Sequence, residues 1–351
     1  MPPFEPLIQN PHLATIASNF WPRYKELENH PVRAVRYQTE QDVAVLVHEQ
    51  RPKLPCRGEL VLVHGLEGSS DGGYMQSMAY SALEAGYAVH RVNIRGCGGT
   101  ESWCKTLYHA GLTSDLRDVL GQIAARAEGP ILLVGYSLGG NVVLKFTGEG
   151  GPQAATIAVS TPIDLRASVR ALGRPSCALY QRRFVSRMRD RLRERARLHP
   201  DVFTPLADRA DRENIRTVFD FDDRITSPFF GFGDAPNYYA TQSAQNFLGA
   251  IQTPTLLITA QDDPLVPFES YSHPAIAANP HLELLAPRHG GCFFLASCTI
   301  PDRRQRLKSP VPVPASWQQA PSGPGGRRRG PSPAVAPAPA RATTRSRRAG
   351  R

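Results

Sequence analysis

Six short apolar runs, each closed by a turn signal, constrain this chain more than any other feature. They are ELVLVH (Glu59–His64), YAVHRVNI (Tyr87–Ile94), PILLVGYS (Pro130–Ser137), ATIAVSTP (Ala155–Pro162), TPTLLITA (Thr253–Ala260) and HLELLAP (His281–Pro287). Val35 to His48 reads as strand by the same alternation. Stretches of helical spacing lie between the runs. Met75 to Ala85 stops at Gly86, and Asp115 to Ala127 carries Leu116, Val119, Leu120, Ile123 and Ala124 on one stripe. GGNVVLKFTGEG follows PILLVGYS directly. Buried strands alternating with amphipathic helices predict an α/β fold, with a mostly parallel central sheet and helices on both faces.

Domain organisation follows from where that rhythm fails. Residues 1–33 are punctuated by proline and read as an N-terminal arm. The α/β body spans 34–299, with an inserted cap at about 164–240 whose charged segment QRRFVSRMRDRLRERARLHP carries Phe184, Met188 and Leu192 at four-residue spacing. Residues 300–351 hold ten prolines, arginine runs and one aromatic, Trp317, and read as a disordered basic tail.

Charge supports the same division. The 351 residues carry a formal +10, but Ile300–Arg351 alone contributes 12 Lys or Arg against one Asp. The body is therefore close to neutral and gives no electrostatic reason to expect nucleic acid. Six cysteines lack the spacing of a zinc site or a disulfide framework. No run is long enough to span a membrane and no secretory leader opens the chain, so a cytoplasmic location is expected.

The chemistry is signalled by Gly135-Tyr136-Ser137-Leu138-Gly139, set between a buried strand and a helix. In that context G-x-S-x-G presents a serine on a tight turn, at a helix N-terminus whose free N–H groups favour developing negative charge. A serine hydroxyl needs a base, and the base an orienting acid. In this order along the chain, TLLITA leads into QDDPLVP, where Asp263 is the expected acid and its neighbour Asp262 the alternative. LELLAPRHGG brings His289 to a loop after the last strand, as the expected base. The backbone N–H groups of Leu66, after ELVLVHG, and of Leu138 are the expected oxyanion donors. His64 reads as a brace for its loop. Arg95 to Gly99, and Tyr108 to Gly111 ahead of Asp115, read as loop-bracing polar segments. No metal or organic cofactor is expected.

These residues resemble a known family. NPHLATIASNFWPR, HGLEGSSDGGYM, NIRGCGGT, GYSLGGN, STPIDL, FDDRITSPFFGFGDAPNYY and DDPLVP are similar to segments of the YheT-like hydrolases and their eukaryotic abhydrolase-domain relatives. The resemblance implies an α/β-hydrolase fold, a Ser137-Asp263-His289 triad, an acyl-enzyme mechanism on small-molecule acyl esters, and a place in lipid metabolism. One departure stands out: the family continues its histidine motif as HGGH, a glycine and an aromatic, then a closing helix, whereas here His289-Gly290-Gly291 runs into Cys292-Phe293-Phe294 and the tail. Reduced stability or impaired catalysis is therefore expected, beside the alternatives of acyltransferase or thioesterase chemistry with the same triad.

Overall fold

A computed structural model describes residues 8–20 and 25–292. The expected tail at 300–351 lies outside the described residues.

Eight strands form one sheet in the order β1-β2-β4-β3-β5-β6-β7-β8. They are β1 (Arg33–Glu40), β2 (Val43–Gln50), β3 (Glu59–Val63), β4 (Ala88–Val92), β5 (Ile131–Tyr136), β6 (Ala155–Val159), β7 (Thr255–Ile258) and β8 (Leu282–Leu285). The β1–β2 and β2–β4 pairs are antiparallel, and every pair from β4 through β3 to β8 is parallel. The single strand expected over Val35–His48 is instead a hairpin, reversed at Gln41–Asp42, where two polar residues interrupt the alternation.

The helices are α1 (Pro11–Phe20), α2 (Gly73–Glu84), α3 (Ser114–Ala124), α4 (Leu138–Gly148), α5 (Leu165–Leu172), α6 (Ala178–Leu198), α7 (Pro200–Arg212), α8 (Val218–Phe221), α9 (Ser227–Phe229), α10 (Ala235–Gln242) and α11 (Pro274–Ala278). Strand alternation assigns them to faces. Val61 and Val63 of β3 pack with Leu116, Leu120 and Ile123 of α3 and Val143 and Phe146 of α4. Leu60 and Leu62 face the other way, onto Met75, Ala79 and Leu83 of α2. The result is a three-layer α/β-hydrolase fold.

Six helices, α5 to α10, lie between β6 and β7 and build a separate apolar cluster around Val185, Met188, Leu192, Phe203, Phe221 and Ile225. Residues 8–20, within the expected arm, contain α1, opened by the Asn10 side chain accepting the Leu13 N–H at 3.0 Å. The far edge of the sheet is thinly covered on the α2 face: Leu256 and Ile258 are half-buried and Leu285 is 45% exposed. Among the described residues no helix follows β8.

Candidate active site

Loops leaving the C-terminal ends of β3, β5, β6, β7 and β8 converge on one side of the sheet, where open α/β sheets place their ligands. At its centre Ser137 joins β5 to α4 with φ 50° and ψ −121°. A left-handed, non-glycine conformation costs on the order of 1–3 kcal/mol and persists only where the surroundings impose it. Here the imposition is packing. A Cβ on Gly135 would stand 2.4 Å from the Gly139 carbonyl oxygen, and one on Gly139 would stand 2.4 Å from that of His64. Both glycines therefore allow β3, the elbow and α4 to close on one another. Gly139→Ala is expected to destabilise the fold by about 1–3 kcal/mol and slow any reaction at Ser137. Urea unfolding with wild-type stability would show that the elbow has slack.

The oxyanion expectations fall on the same spot. Leu138 opens α4, so its N–H has no helical carbonyl to meet. Leu66 lies on the loop after β3, and both leucines border an apolar cavity with Ser137. His64 holds that loop. Its Nδ1 lies 2.8 Å from the Gly65 carbonyl oxygen, while its Nε2 accepts the Ile94 N–H at 3.0 Å. Complete burial pushes its pKa down to about 4, so it is a neutral brace. Arg95 is likewise structural, paired with Asp115 at 2.7 and 2.8 Å and with Glu40 at 2.6 Å.

The acid and base expectations part company. Asp263 is turned inward, 7% exposed, and accepts the N–H groups of Leu265 at 2.9 Å and Val266 at 3.2 Å on Oδ1. Its Oδ2 is buried without a hydrogen-bond partner among the described residues. Burial pushes the carboxyl up to about 7, against the pull of those N–H groups, the Ser160 hydroxyl and the Cys292 thiol. His289 does not meet it. Its Nδ1 lies 3.2 Å from Asp262 Oδ2, and its side chain is 55% exposed. Asp262 Oδ1 accepts the N–H groups of Gly290 and Gly291, each at 3.0 Å, which sets the turn carrying His289 on the outside. The expected Asp263–His289 pair is thus replaced by Asp262–His289. Of the two adjacent carboxylates, the one that reaches the histidine turn is the outer one. Ser137 and Cys292 border the same open cleft, whereas His289 lines neither cavity that Ser137 borders.

Two site residues had no local signal. Arg191 of α6 donates to Glu67 Oε2 at 2.7 Å, Glu101 Oε1 at 2.8 Å and the Gly96 carbonyl oxygen at 2.7 Å. It thereby ties the helical insertion to the loop that carries Leu66. Glu67 itself sits at φ 54° and accepts the Tyr108 hydroxyl at 2.7 Å. Cys292 is the other, placed by the turn rather than by any motif of its own.

The surface around Ser137 has two parts. The apolar cavity runs from Ser137 beneath the inserted helices, past Leu172, Phe184, Met188 and Leu192. The cleft is more polar than the cavity and includes Arg183 and Arg187 of α6. Among the described residues no group of three or more His, Cys, Asp or Glu side chains could hold a metal ion. No described helix is long and apolar enough to cross a membrane.

Comparison with known proteins decides the family. The α/β-hydrolase-fold family model matches residues 59–295. The chain belongs to the α/β-hydrolases. Within them it is similar to YheT of Escherichia coli (strain K12), itself assigned to the esterases only provisionally, at 30% identity over 257 residues, 72% of this chain and 75% of that one. This hydrolase is also 28% identical to the monoacylglycerol lipase of Saccharomyces cerevisiae, over 66% of this chain but only 53% of the lipase. It is 27% identical to the mouse phospholipase ABHD3, over 70% of this chain and 62% of that protein. Among solved structures, the esterase Pf2001 of Pyrococcus furiosus superposes with a TM-score of 0.52 at 16% identity, covering 84% of this chain and 93% of the esterase. At that identity the likeness is one of fold. By the family model and by its likeness to YheT, the chain stands in the YheT-like group of the α/β-hydrolases.

Proposed function

We propose that this hydrolase cleaves carboxylic esters bearing an apolar acyl chain, through an acyl-Ser137 intermediate. The observation that carries the reading is the placement of Ser137: on a strained elbow, where an apolar cavity that Leu66 and Leu138 also border meets a more polar cleft. The acyl chain enters the cavity and the alcohol portion stays in the cleft. Ser137 Oγ attacks the ester carbonyl, and its proton passes to water in the cleft, because His289 on the β8 loop faces solvent outside both cavities. The oxyanion rests on the Leu66 and Leu138 amides, the alkoxide departs with the proton, and water then releases the acid by the same route. In the described conformation Asp262 is the carboxylate that orients His289.

The cleft adds a preference for a polar or anionic alcohol portion. Burial, then the neighbouring Arg183 charge, pull the Arg187 pKa down, so a negative group between the two arginines would relieve an existing repulsion. The names of the yeast lipase and the mouse phospholipase support a glycerolipid-like ester, and with it a role in lipid turnover.

The test is labelling of the full chain by a fluorophosphonate, followed by a p-nitrophenyl ester series. Labelling is expected on Ser137 and absent in Ser137→Ala, with longer acyl chains turned over faster than acetate. No labelling of folded protein would defeat the reading. A second reading, slow turnover that leaves the acyl-enzyme standing, is favoured by one observation: His289 faces solvent, outside both cavities. A burst of p-nitrophenol followed by a much slower steady rate would select it.

A further inference from the structure

We infer that position 292, rather than 289, is where this fold seats a base for Ser137, and that Cys292 occupies that seat. The inference rests on the reading of Ser137 as nucleophile.

Asp263 is built like an orienting acid with nothing to orient. Two backbone N–H groups fix Oδ1, and Oδ2 is buried without a hydrogen-bond partner among the described residues. Such an orphan is costly unless a donor belongs there. Among the described residues, the Ser160 hydroxyl and the Cys292 thiol approach this carboxylate without completing a hydrogen bond to Oδ2. Of these, Cys292 also borders the cleft that contains Ser137. It is therefore the residue that joins the acid to the cleft of the nucleophile, as a relay base must.

Its placement is imposed by the chain around it. The Cys292 N–H donates to Thr15 Oγ1 at 2.9 Å, and that hydroxyl donates to the Pro11 carbonyl oxygen at 2.7 Å, so α1 clamps the turn. Gly291 turns at φ 56°, and a Cβ there would stand 2.6 Å from the same carbonyl oxygen. This turn sends Cys292 inward and leaves His289, three residues earlier, on Asp262 outside.

A thiol cannot do what the seat demands. Burial, and then the adjacent Asp263 carboxylate, hold the Cys292 pKa well above its usual value. The sulfur stays protonated and accepts no proton from Ser137. An imidazole in its place would take the Ser137 Oγ proton on Nε2 while its Nδ1–H met Asp263 Oδ2. The orphaned oxygen would be satisfied and the imidazolium stabilised.

The experiment compares hydrolysis of p-nitrophenyl butyrate by the full-length wild type and Cys292→His, across pH 5 to 9. A positioned general base contributes on the order of 10²–10⁴-fold, so kcat/KM is expected to rise by about 100-fold or more, with a new limb in the imidazole range. The gain should vanish with Ser137→Ala, fall back toward wild type with Asp263→Asn, and survive His289→Ala. Should Cys292→His fail to fold, Cys292→Gly decides the matter. Added imidazole should then accelerate it saturably, and far more than it accelerates the wild type. A folded Cys292→His no faster than wild type, a gain indifferent to Asp263→Asn, or a Cys292→Gly blind to imidazole would overturn the inference. So would wild-type turnover as fast as the variant's and abolished by His289→Ala, an outcome that leaves the hydrolase reading intact. Turnover and fluorophosphonate labelling indifferent to Ser137→Ala in every variant would overturn both.

Discussion

Replacing Arg191 with leucine is expected to lower the unfolding free energy by about 3–5 kcal/mol, the cost of stranding a buried carboxylate by removing its partner. The Glu67 side chain is 4% exposed and meets the Arg191 guanidinium at 2.7 Å. Without that cation Glu67 keeps, among the described residues, only the Tyr108 hydroxyl as a side-chain donor, while its left-handed backbone still has to be held. The same change should slow Ser137 acylation, because Glu67 directly follows Leu66. Losing one oxyanion donor costs on the order of 10²–10³-fold in rate, and a loop that relaxes even partly forfeits some of that. Urea unfolding and ester hydrolysis on the same samples check both halves. Glu67→Gln in the Arg191→Leu background should recover much of the stability, since no charge is then left buried. A single variant within about 0.5 kcal/mol of wild type would mean that the link between α6 and the Leu66 loop is ornamental.

That link also shows where sequence reading ends. The strands were legible because each parallel strand is buried on both faces and so appears as an uninterrupted apolar run, as in ELVLVH and PILLVGYS. The elbow was legible because its constraint is local: two glycines must flank Ser137 if β3 and α4 are to approach it. Glu67 and Arg191 stand 124 residues apart, and nothing in either neighbourhood announces the other. The helix Pro11–Phe20 hid behind the prolines around it, although its first turn has an ordinary cap in Asn10. The acid and base were hardest. Asp262 and Asp263 are indistinguishable as a string, and only the folded loop sends one to the surface and the other inside. Likewise a histidine draws attention that a cysteine three residues later does not, yet the turn at Gly291 gives the inner position to the cysteine.

His90→Leu is the second large effect expected, and it lies away from the site, under the antiparallel edge of the sheet. His90 on β4 is 1% exposed, with Nε2 at 2.6 Å from Glu59 Oε2 and Nδ1 at 3.5 Å from Glu49 Oε1. Burial alone would lower its pKa, but the hydrogen bonds and charges of Glu49 and Glu59 outweigh burial and raise it above 6.5. Glu49, against its own burial, is pulled down to about 2 by His90, Tyr37 and Arg126, and Glu59 is also lowered. The imidazolium therefore contributes stability that is fully present below its unfolded pKa of 6.5 and is lost as pH rises through the higher folded value. The carboxylates contribute above their unfolded value of 4.5 and lose that contribution as pH falls. The cluster is worth most between those limits. There His90→Leu is expected to cost about 3 kcal/mol, at the lower end for a broken buried pair. The cost is moderated because Arg51 remains 2.9 Å from Glu59 and Arg33 3.2 Å from Glu49. Urea titrations at pH 5.5 and pH 9 separate this account from simple packing loss. The gap between wild type and variant should shrink toward the higher pH, as the wild-type imidazole loses its proton. An equal gap at both would show that His90 stabilises the sheet by volume and not by charge.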